Sequence, residues 1–114
     1  MFGISSTTRF FLCIKPIDIR NGFNGLAGLV RNHLQKDPLL GDMFIFLNKN
    51  RTHIKVLYWD GDGFALYFKR LERGIYALTT HYDISKQLKR EEFLMLLEGL
   101  VFKEMSKKKR YKRE

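Results

Sequence analysis

IKVLYWDGDGFALYFKR, residues 54–70, reads as two strands joined by a tight bend. Both flanks are rich in β-branched and aromatic side chains, the composition of a pleated, half-buried surface. The link Asp60-Gly61-Asp62-Gly63 consists of residue types that tolerate the positive φ a short hairpin turn demands. With Gly61-Asp62 as a two-residue loop, Trp59 faces Phe64 and Leu57 faces Leu66 across the pair. Val56, Tyr58, Ala65 and Tyr67 then share the other face. Both faces are apolar, so a helix is expected over one. A second helix, a second copy of the chain or a partner is expected over the other.

Working outward, MFIFLN (43–48), HIKVLYW (53–59), GFALYFK (63–69) and GIYALTT (74–80) read as a run of antiparallel strands. Upstream, RFFLCIK (9–15) has strand length and is expected to end at Pro16, which has no amide to donate to a ladder. Between them, Phe23, Leu26, Ala27, Val30 and Leu34 recur at helical spacing within 18–36, with Asp18 as the expected N-cap and Asp37-Pro38 as the stop. Gly22, Gly25 and Gly28 fall on one side of that helix, a spacing that suits close packing against another backbone. Residues 90–102, REEFLMLLEGLVF, are helical again, with Phe93, Leu96, Leu97 and Leu100 on one face. The expected fold is one α+β domain over residues 1–104 in the order β-α-β-β-β-β-α, an antiparallel sheet of about four to five strands with two helices. Residues 105–114 are expected to form a basic, disordered tail.

The 114 residues carry 21 Lys plus Arg against 12 Asp plus Glu, a net charge of +9. The last twelve residues, KEMSKKKRYKRE, account for +5 of it, leaving +4 on the folded part. Such an excess points to a polyanionic partner, nucleic acid first, against the plainer reading of a solvated basic surface. Cys13, alone inside FFLCI, fits a buried structural thiol in a reducing compartment. No run approaches the roughly 18 apolar residues of a membrane helix. A cytoplasmic protein without a membrane partner is therefore expected.

Asp60 and Asp62 resemble the opening of a calcium loop, but the fifth position is then Phe64 and the twelfth Leu71, neither able to ligate a hard cation. Asp18, Asp60, Asp62, Asp83 and Glu98 stand in no arrangement a metal-dependent nuclease needs. His33, His53 and His81 are isolated, and nothing signals a Ser–His–Asp assembly. The expectation is no catalytic residue, no metal and no cofactor. What remains is a basic, aromatic surface. Antiparallel pairing brings Lys49, Arg51 and Lys55 towards Lys69, Arg70 and Arg73 at one end of the sheet, with Arg20 nearby and Lys107, Lys108, Lys109 and Arg110 in the tail. These are the candidate nucleic-acid contacts. Neutralisation of Glu72, Asp83 and the acids of the last helix is the alternative role for them.

The segments DIRNGFNGLAGLV (18–30), IKVLYWDGDGFALYFKRLERG (54–74) and FLMLLEGL (93–100), in this order and spacing, resemble the small accessory protein of the insertion sequence sixty-six family, the TnpB-type product of its second open reading frame. The resemblance runs from about Gly3 to Phe102. Its motif positions include Asp18, Arg20, Gly22, Phe23, Gly25 and Leu26, then Ile54, Lys55, Trp59, Asp60, Gly61, Asp62, Gly63, Lys69, Arg70, Leu71, Glu72 and Gly74. It implies a role in mobilising a bacterial transposon beside a separate, larger transposase that carries the cleavage chemistry, and it brings no catalytic residues. The implied partners are DNA, as transposon ends or non-specific duplex, and the transposase; self-association into a homo-oligomer is a further expectation. The alternative is a protein–protein adaptor or self-associating module without direct DNA contact. Two departures are local. Ile75-Tyr76-Ala77-Leu78 stands where the family usually places an aromatic and a proline, and Lys89 occupies the usual Thr or Ser cap of the last helix.

Overall fold

A computed structural model of the chain describes residues 4–77 and 85–99. Strands β1 (Phe10–Ile17), β2 (Met43–Asn48), β3 (His53–Trp59), β4 (Phe64–Arg70) and β5 (Ser85–Leu88) form one sheet in the order β4-β3-β2-β1-β5. Helices α1 (Phe23–Asn32) and α2 (Arg90–Leu97) complete the order β-α-β-β-β-β-α read from the sequence. The sheet is mixed rather than wholly antiparallel, because β1 and β2 run parallel. A parallel pair needs a crossover, and α1 supplies it.

Alternation along the strands sorts two apolar faces. Phe10, Leu12, Met43, Ile45, Leu47, Ile54, Val56 and Tyr58 pack on one side with Phe93 and Leu96 of α2. Phe11, Cys13, Phe44, Phe46 and Leu57 pack on the other with Leu26, Ala27 and Val30 of α1. Each face therefore has its own helix. Burial pushes the Cys13 thiol above its ordinary pKa, consistent with an inert packing role.

The β3–β4 hairpin is as expected. Trp59 pairs with Phe64 and Leu57 with Leu66, and the Asp60 amide donates to the Gly63 carbonyl at 2.8 Å. Gly61 sits at φ 90°, a positive φ that glycine adopts without penalty. The WDGDG motif is thus turn chemistry.

Four expectations need correction. Pro16 does not end β1. The register with β2 shifts between Cys13 and Ile17, and the ladder with β5 stops at Cys13, so the proline falls where no partner needs its missing amide. Asp18 does not cap α1, whose N-cap is Gly22. Its carboxylate instead accepts the Arg20 backbone amide at 2.8 Å and the Arg20 guanidinium at 2.7 Å, closing a local turn that delays the helix. GIYALTT is not a strand over its described part, residues 74–77. Gly74 turns the chain at φ 78°, the Tyr76 amide donates to the Arg51 carbonyl at 2.7 Å, and the Tyr76 ring enters the core. The fifth strand comes from Ser85–Leu88 at the opposite edge; residues 78–84 lie outside the described residues, as do the tail and the end of the expected last helix. Finally, among the described residues no backbone of another element is found against the α1 glycines. A Cβ at Gly22 or Gly28 meets nothing within 4 Å, and one at Gly25 meets the Asn21 side chain at 2.9 Å.

With open space and a helical backbone at Gly28, Gly28→Ala is expected to raise stability by about 0.5–1 kcal/mol in a urea melt. A loss of stability would show that the glycine serves a close approach after all. At α2, Lys89 offers no acceptor, but its backbone amide donates to the Glu92 carboxylate at 2.8 Å, so half of a capping box survives.

Candidate nucleic-acid interface

The end of the sheet opposite the Gly61 turn is built from the β2–β3 turn, the start of β3, the end of β4 and the segment after it. Asn48 organises the turn. Its side-chain carbonyl accepts the amides of Thr52 and His53, each at 2.9 Å, and its amide donates to the Thr52 hydroxyl at 3.0 Å. Arg51 takes a left-handed φ of 59°, and its carbonyl holds Tyr76. Lys49, Arg51, Lys69, Arg70 and Arg73 are thereby gathered at one end, because His53 pairs with Arg70 and Ile54 with Lys69. Cross-strand partners share a face, so Lys69 lies on the α2 side and Arg70 on the α1 side. The cations rim the edge from both sides.

Lys55, expected in this group, departs from it. It lies on the inward face with Leu57, is only 6% exposed, and its Nζ donates to the carbonyls of Ile19 and, at 2.6 Å, Asn21. Burial pushes its ammonium below the ordinary lysine pKa while Asp18 pulls it back. Lys55 is a tie between β3 and the loop before α1, not a surface contact. The tie brings Arg20 to the basic end, where its side chain is 87% exposed even while paired with Asp18. The Arg20 hydrogen bonds, with a smaller pull from Lys55, hold the Asp18 carboxyl down to about 2. Arg70 pairs with Glu72 at 3.0 Å, also in solvent. Exposed pairs of this kind contribute little and leave the cation available to a competing anion. Lys107, Lys108, Lys109 and Arg110 lie outside the described residues.

Phe68 was not singled out by the sequence reading. It is half-exposed beside these cations, stacked on His53 with centroids 5.6 Å apart, and Lys55 Nζ lies 4.6 Å from its ring centre. The available signal was its register opposite Lys55 on an edge strand.

The other end of the sheet carries Asp60 and Asp62 in the turn, near a cavity of about 230 Å³ lined by Ser5, Thr8, Asp42, Trp59 and Asp60 among others. Asp42 is buried and held by a bidentate pair with Arg9, at 3.0 and 2.8 Å. Among the described residues no group of three or more His, Cys, Asp or Glu side chains is placed to hold a metal ion. No described helix is long and apolar enough to cross a membrane.

The family described as "IS66 Orf2 like protein" matches residues 8–107. The chain belongs to this family. The uncharacterized protein y4jC of Sinorhizobium fredii (strain NBRC 101917 / NGR234) is 36% identical over 108 residues, covering 95% of this chain and 92% of the relative. The protein y4hO of the same strain is 35% identical over 74 residues, covering 65% of this chain and 64% of the relative. No solved structure matches significantly. Membership of the IS66 Orf2-like family makes the chain an accessory protein of insertion-sequence transposition, and the matched span covers the basic end of the sheet.

Proposed function

We propose that this IS66 Orf2-like protein is a non-catalytic accessory factor that binds DNA through the basic end of its β3–β4 hairpin, beside the element's transposase. The observation that carries the reading is the convergence of Lys49, Arg51, Lys69, Arg70, Arg73 and Arg20 around one end of the sheet, where Asp18 pairs with Arg20 and Glu72 with Arg70 in solvent. Cations at this density neutralise phosphates and release counterions, which makes affinity fall with salt. The contacts address the backbone, so the reading is of duplex DNA without strong sequence preference. The basic tail adds charge to the same surface chemistry.

Gel shifts or fluorescence anisotropy over a salt series test this. Six phosphate contacts give a slope of log K against log salt of about −5, and Lys69→Ala/Arg70→Ala/Arg73→Ala is expected to weaken binding and flatten the slope to about −3. Deletion after Met105 is expected to weaken it further. Unchanged affinity in both variants would remove the DNA-binding reading. Continued co-purification with the transposase in those variants would then favour the adaptor role, to which the outer edge of β4, without a strand partner among the described residues, is suited. The unmodified protein is expected not to cleave DNA with magnesium present.

A further inference from the structure

The two edges of the sheet are protected very differently. β5 is four residues long, SKQL, with Lys86 within it and Lys89 just beyond, the short and charged design that discourages pairing. β4 is seven residues long, free of proline, and paired in unbroken register along its inner side. Its outer side has no strand partner among the described residues.

The hydrogen-bond phase of β4 defines what that edge offers. The Asp60 amide reaches the Gly63 carbonyl and the Leu71 amide reaches the Thr52 carbonyl, so residues 63, 65, 67, 69 and 71 direct their backbone groups at β3. The backbone groups of Phe64, Leu66, Phe68 and Arg70 therefore point outward. The side chains there are apolar in the middle of the strand and charged at its ends. Asp60 and Asp62 sit before it, Lys69 and Arg70 at its close.

We propose that the outer edge of β4 is a homodimerisation edge, where a second copy of this chain pairs antiparallel about a two-fold axis at Leu66 and joins two five-stranded sheets into one. Charge selects this occupant. In that register Leu66 faces Leu66 of the second copy, Phe64 faces Phe68, and Arg70 falls opposite Asp62 in both halves. The acidic turn of each copy meets the basic strand end of the other. A parallel arrangement aligns like charges instead, Lys69 on Lys69, which is unfavourable. The antiparallel pairing exchanges about six backbone hydrogen bonds between Phe64, Leu66 and Phe68 of the two copies. Among the described residues Arg70 pairs with Glu72 in solvent within one copy, and so exposed a pair can be shared with the incoming aspartate. An isologous interface needs this kind of self-complementary patch.

Sedimentation velocity of the full chain without nucleic acid is the test, so its result is independent of DNA binding. The expected result is a concentration-dependent dimer of 13.6 kDa chains. Asp62→Lys is expected to weaken it about 5- to 10-fold, and Asp62→Lys/Arg70→Glu to restore it, since two symmetric ion pairs are inverted and then re-formed. Leu66→Cys is expected to form a disulfide-linked dimer on mild oxidation, because a hydrogen-bonded antiparallel pair holds its Cα atoms about 5.5 Å apart, within disulfide reach. The native Cys13 is buried and does not compete. A chain that stays monomeric at millimolar concentration overturns the proposal and leaves the edge to another partner. So does a dimer that neither responds to Asp62→Lys nor cross-links through Leu66→Cys.

Discussion

Phe93→Ala is expected to cost about 3–5 kcal/mol. Helix α2 has eight residues, well short of the roughly 12–15 that hold together alone in water, so packing keeps it helical. Phe93 is fully buried and stacks on Phe10 of β1 with ring centroids 4.4 Å apart and planes 19° apart. Truncation removes a large apolar side chain and leaves a cavity between sheet and helix that a short helix cannot collapse to fill. Small domains have about 5–15 kcal/mol in total, so the variant keeps a reduced margin and melts roughly 10 °C or more below the parent. The matched control is Leu94→Ala on the outer face of the same helix, 45% exposed, which is expected to stay within about 0.5 kcal/mol. Hydrogen exchange should show the amides of Arg90–Leu97 losing protection first. A Phe93→Ala loss below about 1 kcal/mol would mean that α2 contributes little to this face of the core.

What could be read from residues alone follows the range of the interactions involved. The β3–β4 hairpin was legible down to its register because its determinants are local: Gly61 for the turn and alternating apolar residues on either side. The apolar stripe of the α1 region was legible for the same reason at Leu26, Ala27, Val30 and Leu34, whereas Phe23, at the first turn, is 46% exposed and does not join it. The start of α1 was not. Asp18 had two sets of donors within reach, the free amides of a helix and those of Arg20, and the choice depends on Lys55 holding the intervening loop against β3. GIYALTT has strand composition, yet over residues 74–77 Gly74 turns the chain and Tyr76 enters the core, a destination that exists only once the sheet is assembled. SKQL has no alternation to announce a strand; it becomes β5 by pairing with the free side of β1. In the candidate site the convergence of cations followed from pairing, whereas the removal of Lys55 from it did not. Alternation puts Lys55 on the face of Leu57, but Phe68 and Arg70 share that face and are exposed, so the burial of Lys55 depends on the loop of Ile19 and Asn21 folding over it.

Lys55→Met separates these roles and is expected to cost about 2–3 kcal/mol. Methionine keeps most of the aliphatic stem, so the loss falls on the ammonium group. Without it the carbonyls of Ile19 and Asn21 lose a charged donor, and the Phe68 ring loses the cation beside it. Part of the gross loss is returned because a partly desolvated charge is removed as well, the same desolvation that lowers the lysine pKa. Lys55→Ala should be worse, since it empties the space of the stem. The DNA readout moves differently. Lys55 makes no phosphate contact from its buried position, and Arg20 is the one cation on the loop it holds. The salt slope of Lys55→Met is therefore expected to change by no more than about one, while the Lys69, Arg70 and Arg73 substitutions flatten the slope with little change in stability. Urea melts and salt titrations on the same two proteins check both halves. A Lys55→Met protein as stable as the parent would show that the loop before α1 stands without its lysine tie. A slope flattened as far as in the triple variant would return Lys55 to the interface.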